Sequence, residues 1–446
     1  MTLPTKWSAT ILARAEVFTS RTDNDVRPPL LNVPTGTPNP GAVRSRTGLA
    51  RLSFGIFFAA VAVFAPSLGT SIALLPARLA EAAPSDKVTL LAIFAALAAV
   101  VSFLSILTFG TISDRTRGRF GKRNPWVLIG GVVSAGATIL LAFADSVPSL
   151  GAGFLLQAVG INIVLGALTP VIPDRVPSHR RGVVSTALGA GTLIGGTVGV
   201  VAASAFAPDH RAAFLVLAVV ALVLTVAYLA CAPDFSNRDE PVTRRSSSLL
   251  ASISFPRNAP DFYWAFFGRL GVILGYYTVG ALQFFVLSEH LGLDEVKSAQ
   301  LLGTAAVVNL IGSLVGALSA GPLSDLIHRR KAVTVASAII IGVGVVIPAL
   351  VPEPLGFLVY TGIAGLGLGM FFSVDAALLS ELLPSEDSRG KDLGLLALAT
   401  NAGQLLGPLA GAAAVGTGMG FSPVFVIALV FCVVGGLLLL PIRSVK

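Results

Sequence analysis

The sequence predicts an all-α membrane protein in which twelve transmembrane helices form two six-helix bundles. Three observations predict this fold class: the composition, the number of long apolar stretches, and a repeat that relates the two halves. Of the 446 residues, 54% are hydrophobic and 12% are charged, whereas soluble domains carry about 25% charged residues. The mean hydropathy of +0.83 agrees with this. Such a composition excludes a soluble enzyme, a nucleic-acid-binding protein and a disulfide-rich secreted domain.

The apolar stretches have the length of membrane spans, since one span needs about 20 apolar residues. The longest polar break inside the apolar region, 233–259, divides the spans six and six. The predicted organisation is therefore a disordered cytoplasmic tail 1–50, an N-terminal bundle 51–232, a cytoplasmic linker 233–259 and a C-terminal bundle 260–446. The predicted spans are 52–76, 88–112, 126–144, 149–172, 183–206, 212–232, 260–288, 298–320, 332–351, 355–380, 391–415 and 421–442.

The tail is rich in proline and mixes charges of both signs, which is typical of a disordered segment. No apolar stretch of signal-peptide length follows its early basic residues, so we expect no cleaved signal. The only cysteines, Cys231 and Cys432, both lie in apolar stretches. They predict neither a disulfide framework nor a metal site.

Lysine and arginine fall mainly in the tail and in every second polar break. The breaks on the other side contain only Arg78, Lys87, Arg211 and Lys297. Positive charge collects on the cytoplasmic side of membrane proteins, so we expect both termini in the cytoplasm of a multi-pass cell-membrane protein. The same bias explains the net charge of +8 without a nucleic-acid partner.

Three features recur in the two halves, each about 210 residues apart. A Gly-x-x-Ser-Asp sequence ends at Asp114 and again at Asp325. An acidic residue, a proline and an Arg-Gly pair follow span 4 and span 10. One glycine per helical turn marks spans 5 and 11, at Gly191, Gly195, Gly199, Gly403, Gly407 and Gly411. This duplication predicts two bundles in parallel repeat, each expected to contain inverted repeats of three helices. The glycines allow close helix approach, and we expect spans 5 and 11 to pack across the bundle interface.

The most specific stretch is Phe109-Gly-Thr-Ile-Ser-Asp-Arg-Thr-Arg-Gly-Arg-Phe-Gly-Lys-Arg-Asn-Pro-Trp126. It resembles the loop between helices 2 and 3 of the major facilitator superfamily. In detail it is similar to the loop in the glycoside–pentoside–hexuronide cation symporters and the related sucrose-type transporters. The resemblance to the superfamily covers nearly all of 51–446.

This resemblance implies alternating-access transport through a cavity lined mainly by helices 1, 4, 7 and 10. It also implies a conformational latch on the cytoplasmic side. By analogy, Asp114 would hold helix 11 near Gly390–Leu393, and Asp325 would hold helix 5 near Gly182–Val184. The expected latch residues are Asp114, Arg115, Arg119, Arg123, Asp325, Arg329 and Arg330.

Polar and aromatic residues in spans 1, 4, 7 and 10 are candidates to line the substrate cavity. Hydroxyl and amide groups beside aromatic rings suit sugar hydroxyls and CH faces, although the same groups also form interhelical hydrogen bonds. The candidates are Ser67, Thr70, Ser71, Gln157, Asn162, Tyr276, Tyr277, Gln283 and Tyr360. We interpret Asn309, Asn401 and Gln404 as structural residues or as supports behind the cavity.

Asp375 is the acidic residue predicted to lie well inside a cavity-lining span, and an acid at this depth marks a functional site. Melibiose-permease-like symporters carry coupling acids on helix 2, and sucrose-type carriers carry one on helix 1. Spans 52–76 and 88–108 contain neither Asp nor Glu. We expect Asp375 to pair with Arg269 of span 7 and to release it on protonation. A permanent, purely structural salt bridge is the alternative interpretation.

The sequence therefore predicts a secondary active transporter of a small organic solute, possible substrates being a sugar or glycoside taken up with protons. One alternative is proton-coupled efflux of an amphipathic or drug-like compound, and another is a membrane receptor or scaffold that transports nothing. The chain contains no phosphate-binding Gly-x-x-x-x-Gly-Lys-Ser/Thr sequence, so direct use of ATP is not expected. We expect no enzymatic activity, cofactor, metal or nucleic-acid partner, and a monomer in the lipid bilayer.

Overall fold

The computed structural model describes residues 48–238, 259–382 and 389–442, with the backbone alone at 376–382, 389–394 and 397. Within these residues every regular element is helical, as the composition predicts. Residues 1–47 of the predicted tail and 239–258 of the predicted linker lie outside the described residues. The described part belongs to one compact unit.

The first bundle contains helices α1 to α6. These are α1 Leu49–Ala82, α2 Lys87–Arg115, α3 Asn124–Ala142, α4 Val147–Leu168, α5 Arg181–Ala205 and α6 His210–Cys231. The second bundle contains helices α7 to α12. These are α7 Pro260–Gly280, α8 Glu295–Ile327, α9 Arg330–Leu350, α10 Pro354–Leu382, α11 Arg389–Val415 and α12 Ser422–Leu438.

Nine helices of the described residues are long and apolar enough to cross a membrane. The number is ten if α7 and the following segment Gln283–His290, which is bent from it by 46°, form one span. Helix α12 is apolar but only 17 residues long. The twelve predicted spans are therefore not all found by this measure: α7 is bent, α12 is short, and α11 does not meet it among the described residues.

Several helices extend further than their apolar stretches predicted. Helix α1 continues to Ala82 through a π-helical turn at Gly69–Leu74. Helix α8 continues to Ile327 and so carries Asp325 in its last turn, whereas the predicted span ended at residue 320. Charged residues follow the apolar part of each helix at these ends, and hydropathy alone does not show that the helix continues into the polar region.

The two ends of the helices differ in charge. We call one end the basic face; it carries the α2–α3 loop, residues 175–181 and residues 328–331. The other end, called the opposite face, carries the short connections 83–86, 143–146, 206–209, 291–294 and 351–353. The bundles contact each other through α2 with α11 and through α5 with α8.

Among the described side chains, the hydrophobic core is continuous between the bundles toward the opposite face. One cluster joins residues such as Leu74, Phe94 and Leu217 of the first bundle to Phe284 and Phe285 of the second. Toward the basic face the first bundle has a separate cluster of its own, from Leu52 to Ala232. The described side chains therefore join the two bundles at the opposite face.

The glycine stripes pack inside their own bundles, which corrects the prediction that they face the bundle interface. A Cβ atom on Gly199 would lie 1.9 Å from the carbonyl oxygen of Ala65 in α1. Gly407 of α11 likewise contacts Tyr277 and Thr278 of α7. The spacing identifies a face that needs close approach, but it carries no information about which neighbouring helix comes close.

Candidate functional site

Arg269 of α7 and Asp375 of α10 form an ion pair within the second bundle, as the sequence predicts. Nη1 of Arg269 donates a hydrogen bond to Oδ2 of Asp375. Nε of Arg269 donates to the hydroxyl of Thr400 in α11 at 2.7 Å. The guanidinium carbon also lies 5.9 Å from the centre of the Phe372 ring. One cation therefore joins three helices.

Both charges of this pair are withdrawn from solvent. The side chain of Asp375 is 3% exposed and that of Arg269 is 14% exposed. Asp375 lies seven residues before the end of α10, about 10 Å along the helix axis. Charges in such surroundings are retained only when they are paired and hydrogen bonded. Adding a proton to the carboxylate would remove this pairing and leave the guanidinium to find another partner.

About two helical turns further along α7 from Arg269, aromatic and amide side chains of the second bundle form a cluster. The rings of Tyr276 and Tyr277 in α7 contact each other edge to face, with centres 5.3 Å apart. Asn309 of α8 donates to the hydroxyl of Tyr276 at 3.4 Å. Gln404 of α11 donates to the hydroxyl of Tyr277 at 3.3 Å. This arrangement offers hydroxyl, amide and ring surfaces together.

Tyr360 of α10 belongs to the same region, because its buried side chain is hydrogen bonded to Gln283. The structure thus brings together the four cavity candidates of the second bundle. It also adds Asn309 and Gln404, which our sequence interpretation placed behind the cavity or in a structural role. The sequence did offer a signal for Asn309 and Gln404, because each is an isolated polar residue in an apolar helix.

The two candidates of the first bundle have different surroundings. Gln157 of α4 is almost fully buried and donates to Thr70 at 3.2 Å and to Thr138 at 2.8 Å. Asn162 donates to the carbonyl oxygen of Ala158 in its own helix. The amide of Gln157 therefore joins α1, α3 and α4, and the structure does not bring it to the tyrosines. Ser71 similarly donates to the carbonyl oxygen of Ser67 in its own helix.

On the basic face, the α2–α3 loop is fixed by Arg123, which is buried. Nη2 of Arg123 lies 2.6 Å from Asp114 and 3.0 Å from Asp174. Nη1 donates to the hydroxyl of Ser113 at 3.2 Å. Lys122 also pairs with Asp174. Asp114 is thus engaged inside its own bundle; the side chains of Gly390–Leu393, its expected partners, lie outside the described ones.

The same loop rests on residues that follow α6. Gly121 has a φ of +76°, and a Cβ atom there would overlap the carboxylate of Asp234. Asp234 accepts a hydrogen bond from the backbone N–H of Arg123 and pairs with Arg175. Asn237 bonds the loop backbone at Gly118. The first residues of the predicted linker are therefore packed onto the N-terminal bundle.

Asp325, which corresponds to Asp114 in the sequence repeat, has fewer contacts than Asp114. Asp325 is exposed and lies 3.8 Å from Arg330. The expected contact of Asp325 with Gly182–Val184 is not formed, and a Cβ atom on Gly182 would meet no atom within 4 Å. Arg115, Arg119 and Arg329 are exposed. Among the described side chains, the Asp325 part of the expected latch is therefore not engaged.

Between described residues, two contacts of an acidic with a basic side chain join the bundles, and both lie on the opposite face. Lys87 at the start of α2 is 2.7 Å from Glu289 and its ammonium lies over the Phe285 ring. His210 at the start of α6 is 2.9 Å from Glu295 at the start of α8. These contacts and the continuous core close the same side of the molecule.

This chain matches the family model of the Major Facilitator Superfamily over residues 47–319 and 297–446. The two matches cover both bundles. The chain belongs to the Major Facilitator Superfamily. Superfamily membership, together with the many apolar helices, establishes a multi-pass membrane protein. The superfamily consists of transporters and not of enzymes, in agreement with the sequence analysis.

Similarity to individual superfamily members is limited to segments. The chain is 30% identical over 145 residues to "Probable polyol transporter 4" of Arabidopsis thaliana, which is 32% of this chain and 26% of that protein. It is 34% identical over 141 residues to "D-xylose transporter" of Levilactobacillus brevis, which is 32% of this chain and 30% of that protein. The matched segments span less than a third of these relatives. They do not single out the glycoside–pentoside–hexuronide group.

Solved superfamily structures share the fold. A point mutant of the nucleoside transporter NupG superposes with a TM-score of 0.70 at 15% identity, covering 88% of this chain and 99% of that one. A bacterial homologue of the human lysosomal transporter Spinster, described as inward-facing and unoccupied, gives a TM-score of 0.66 at 14% identity. That superposition covers 90% of this chain and 97% of the other. At these identities the comparison establishes the fold alone.

Proposed function

We propose that this protein is a secondary active transporter with twelve transmembrane helices that moves a small organic solute by alternating access. Its basic face and both termini lie in the cytoplasm, and it works as a monomer in the cell membrane. The observation that carries the proposal is the buried Arg269–Asp375 pair in the second bundle, whose helix α7 also carries part of a cluster of tyrosines and amides. Family membership supplies the transport class.

The proposed substrate is a polyhydroxylated solute such as a sugar or polyol. Tyrosine rings can stack on CH faces, and the hydroxyl and amide groups of Tyr277, Gln404 and Asn309 can exchange hydrogen bonds with hydroxyls. Two relatives are named for a polyol and for D-xylose, which agrees with this substrate class. Efflux of an amphipathic compound is the competing function, favoured by the scarcity of charge inside the described helices.

The proposed driving force is a proton taken up by Asp375. In the deprotonated state Asp375 holds Arg269, and Arg269 in turn holds Thr400 of α11. Protonation releases the guanidinium and loosens α10 from α7 and α11. The contacts of the opposite face support a conformation in which the cytoplasmic side is the open one. The loops of the basic face, which would close the cytoplasmic side in the other conformation, form the proposed latch.

Flux into proteoliposomes tests this function. A panel of labelled pentoses, hexoses, polyols and lipophilic cations is offered with and without an imposed pH gradient. We expect accumulation of a hydroxylated solute that depends on the gradient, and exchange of that solute without a gradient. Gradient-driven export of the lipophilic cations would favour efflux instead, and the absence of any flux would favour a receptor or scaffold.

The double variant Arg269→Gln/Asp375→Asn separates coupling from binding. We expect it to retain solute exchange and to lose gradient-driven accumulation. Glu353→Gln is the matched control, because Glu353 is an exposed acid immediately before the same helix. If the double variant accumulates solute with the gradient dependence of the parent, the pair is a permanent structural salt bridge and the coupling role is wrong.

A further inference from the structure

Three potential metal ligands from three helices converge on the opposite face. Glu81 lies at the end of α1, His210 is the first residue of α6, and Glu295 is the first residue of α8. One ligand atom of each residue lies within 4.8 Å of the others. Two of these residues belong to the first bundle and one to the second, so the cluster bridges the bundle interface.

The imidazole at the centre of this cluster has no hydrogen-bond partner for its inner nitrogen. The side chain of His210 is 8% exposed. Within the described residues, Nε2 of His210 and Oε1 of Glu295 are both buried and lie 2.9 Å apart, but their contact lacks hydrogen-bond geometry and neither atom makes a hydrogen bond. Buried polar atoms are nearly always satisfied, so an unsatisfied pair of this kind needs an explanation. A bound ion would satisfy both atoms at once.

Two of the three distances between ligand atoms approach those around a small cation with four ligands, and all three atoms lie within 4.8 Å of one another. Nε2 of His210 lies 3.4 Å from Oε1 of Glu81 and 2.9 Å from Oε1 of Glu295. In a tetrahedral zinc site with bonds of about 2.0–2.2 Å, neighbouring ligand atoms lie about 3.3–3.5 Å apart. The first distance already matches, and the second requires Glu295, which is partly exposed, to withdraw by about half an ångström. A water molecule would supply the fourth ligand.

The surroundings of Glu81 hold its carboxylate in a suitable orientation. Arg78 lies 2.6 Å from Oε2 of Glu81, so this oxygen is engaged while Oε1 is directed at His210. Arg78 is itself 3.5 Å from Asp145, which offsets part of its positive charge. A partner that orients a ligating carboxylate is a usual feature of metal sites.

We propose that Glu81, His210 and Glu295 bind a divalent transition-metal ion, with Zn²⁺ as the best fit to one imidazole and two carboxylates. Since the ligands come from both bundles, the complete site exists only while the opposite face is closed. Binding therefore favours the conformation that is open at the basic face. This state preference rests on the proposed alternating access, whereas the binding itself does not.

Zinc titration of the purified full-length protein tests the binding. We expect one Zn²⁺ per chain, and at least a tenfold loss of affinity in Glu295→Gln and in Glu81→Gln. Glu289→Gln is the matched control, because Glu289 is also an acid on the opposite face that pairs across the interface; it should bind zinc like the parent. Equal affinity in all four proteins, or no binding to the parent, would overturn the proposal.

X-ray absorption of the zinc-loaded parent identifies the ligands without any variant. We expect nitrogen and oxygen at about 2.0–2.2 Å with the signature of one imidazole. Sulfur at about 2.3 Å would place the ion at a cysteine such as Cys231 and overturn the site.

The state preference is tested separately, by the labelling of a cysteine at Ser204, which contacts Gly303 across the interface. With Cys231 and Cys432 replaced by serine, we expect Zn²⁺ to slow labelling of Ser204→Cys severalfold. Zinc binding without any change in labelling would contradict alternating access at this face and leave the metal site intact.

Discussion

The interiors of the two bundles have the same helical arrangement but different polar chemistry. In the first bundle, Gln157 is hydrogen bonded to two threonines and no charge takes part. In the second bundle, Arg269 and Asp375 form an ion pair, and a cluster of tyrosines and amides lies further along α7. The sequence repeats that relate the bundles lie about 210 residues apart and do not include these residues.

This difference shows how the two halves of a duplicated fold can take different chemical roles. A neutral hydrogen-bond network has the same charge at every pH, so it cannot respond to a proton gradient. An ion pair changes its charge when the carboxylate takes a proton, and its helices then lose a contact. We infer that the first bundle serves as a frame and that the second bundle contains the responsive chemistry.

The largest effect is expected when one partner of the ion pair is removed. Asp375→Asn or Arg269→Gln leaves the other charge buried, which costs roughly 3–5 kcal/mol in comparable pairs. The double variant should be more stable than either single variant, because no charge is then left unpaired. Thermal unfolding in detergent measures this, and single variants as stable as the double one would show that the two charges do not depend on each other.

A smaller effect is expected from the close approach of α5 to α1. Gly199→Ala places a methyl group against the backbone of Ala65, and overpacking of this kind costs about 1–3 kcal/mol. Gly189→Ala in the same helix is the control, because its Cβ atom meets nothing within 4 Å; replacing a helical glycine there should stabilise by about 0.5–1 kcal/mol. Unfolding temperatures that fall equally in both variants would contradict this packing.

The neutral network of the first bundle should tolerate substitution better than the ion pair. Gln157→Leu removes two hydrogen bonds, which average about 0.6 kcal/mol each in membrane proteins. Thr138 keeps its bond to the carbonyl oxygen of Ser134, so little is left unsatisfied. We expect a loss near 1 kcal/mol with coupling unchanged. Loss of gradient-driven accumulation with normal exchange would place coupling chemistry in the first bundle as well.

The smallest effects on stability are expected at the two repeated aspartates. Asp114 and Asp325 are both exposed, and exposed ion pairs contribute about 0–1 kcal/mol. If they form a latch in the other conformation, Asp114→Asn and Asp325→Asn should each favour the form open at the basic face. Labelling of Gly182→Cys from the cytoplasmic side, without other cysteines, should become faster in both variants. Unchanged labelling would show that these aspartates do not form a latch. The basic loops beside them would then serve only to orient the helices during membrane insertion.

The ion pair could be predicted from the sequence because very few charges lie inside the apolar stretches. A charge in the bilayer needs a partner, and Arg269 was the available cation at a similar depth. The helical fold, the division into bundles and the distribution of basic residues follow from composition in the same way. These features depend on how many residues are apolar and where the polar breaks fall.

Other contacts depend on geometry that the sequence pattern does not encode. The partner of Asp114 is Arg123 because the loop turns at Gly121 and rests on Asp234, more than a hundred residues further along the chain. Gln157 faces other helices of its bundle because of the rotation of α4 about its axis. A polar residue in an apolar span indicates that it needs a partner, but both a cavity and a neighbouring helix can supply one.

The break in α7 forms a short hinge between two helical segments. After residues 281 and 282, the segment Gln283–His290 is bent by 46° from the axis of α7. It places Phe284 and Phe285 in the shared hydrophobic core at the opposite face. Arg269 lies on the straight part of α7, about three turns earlier. If the proposed protonation of Asp375 displaces that part, the movement reaches Phe284 and Phe285 through a joint of two residues, where small dihedral changes produce a large displacement.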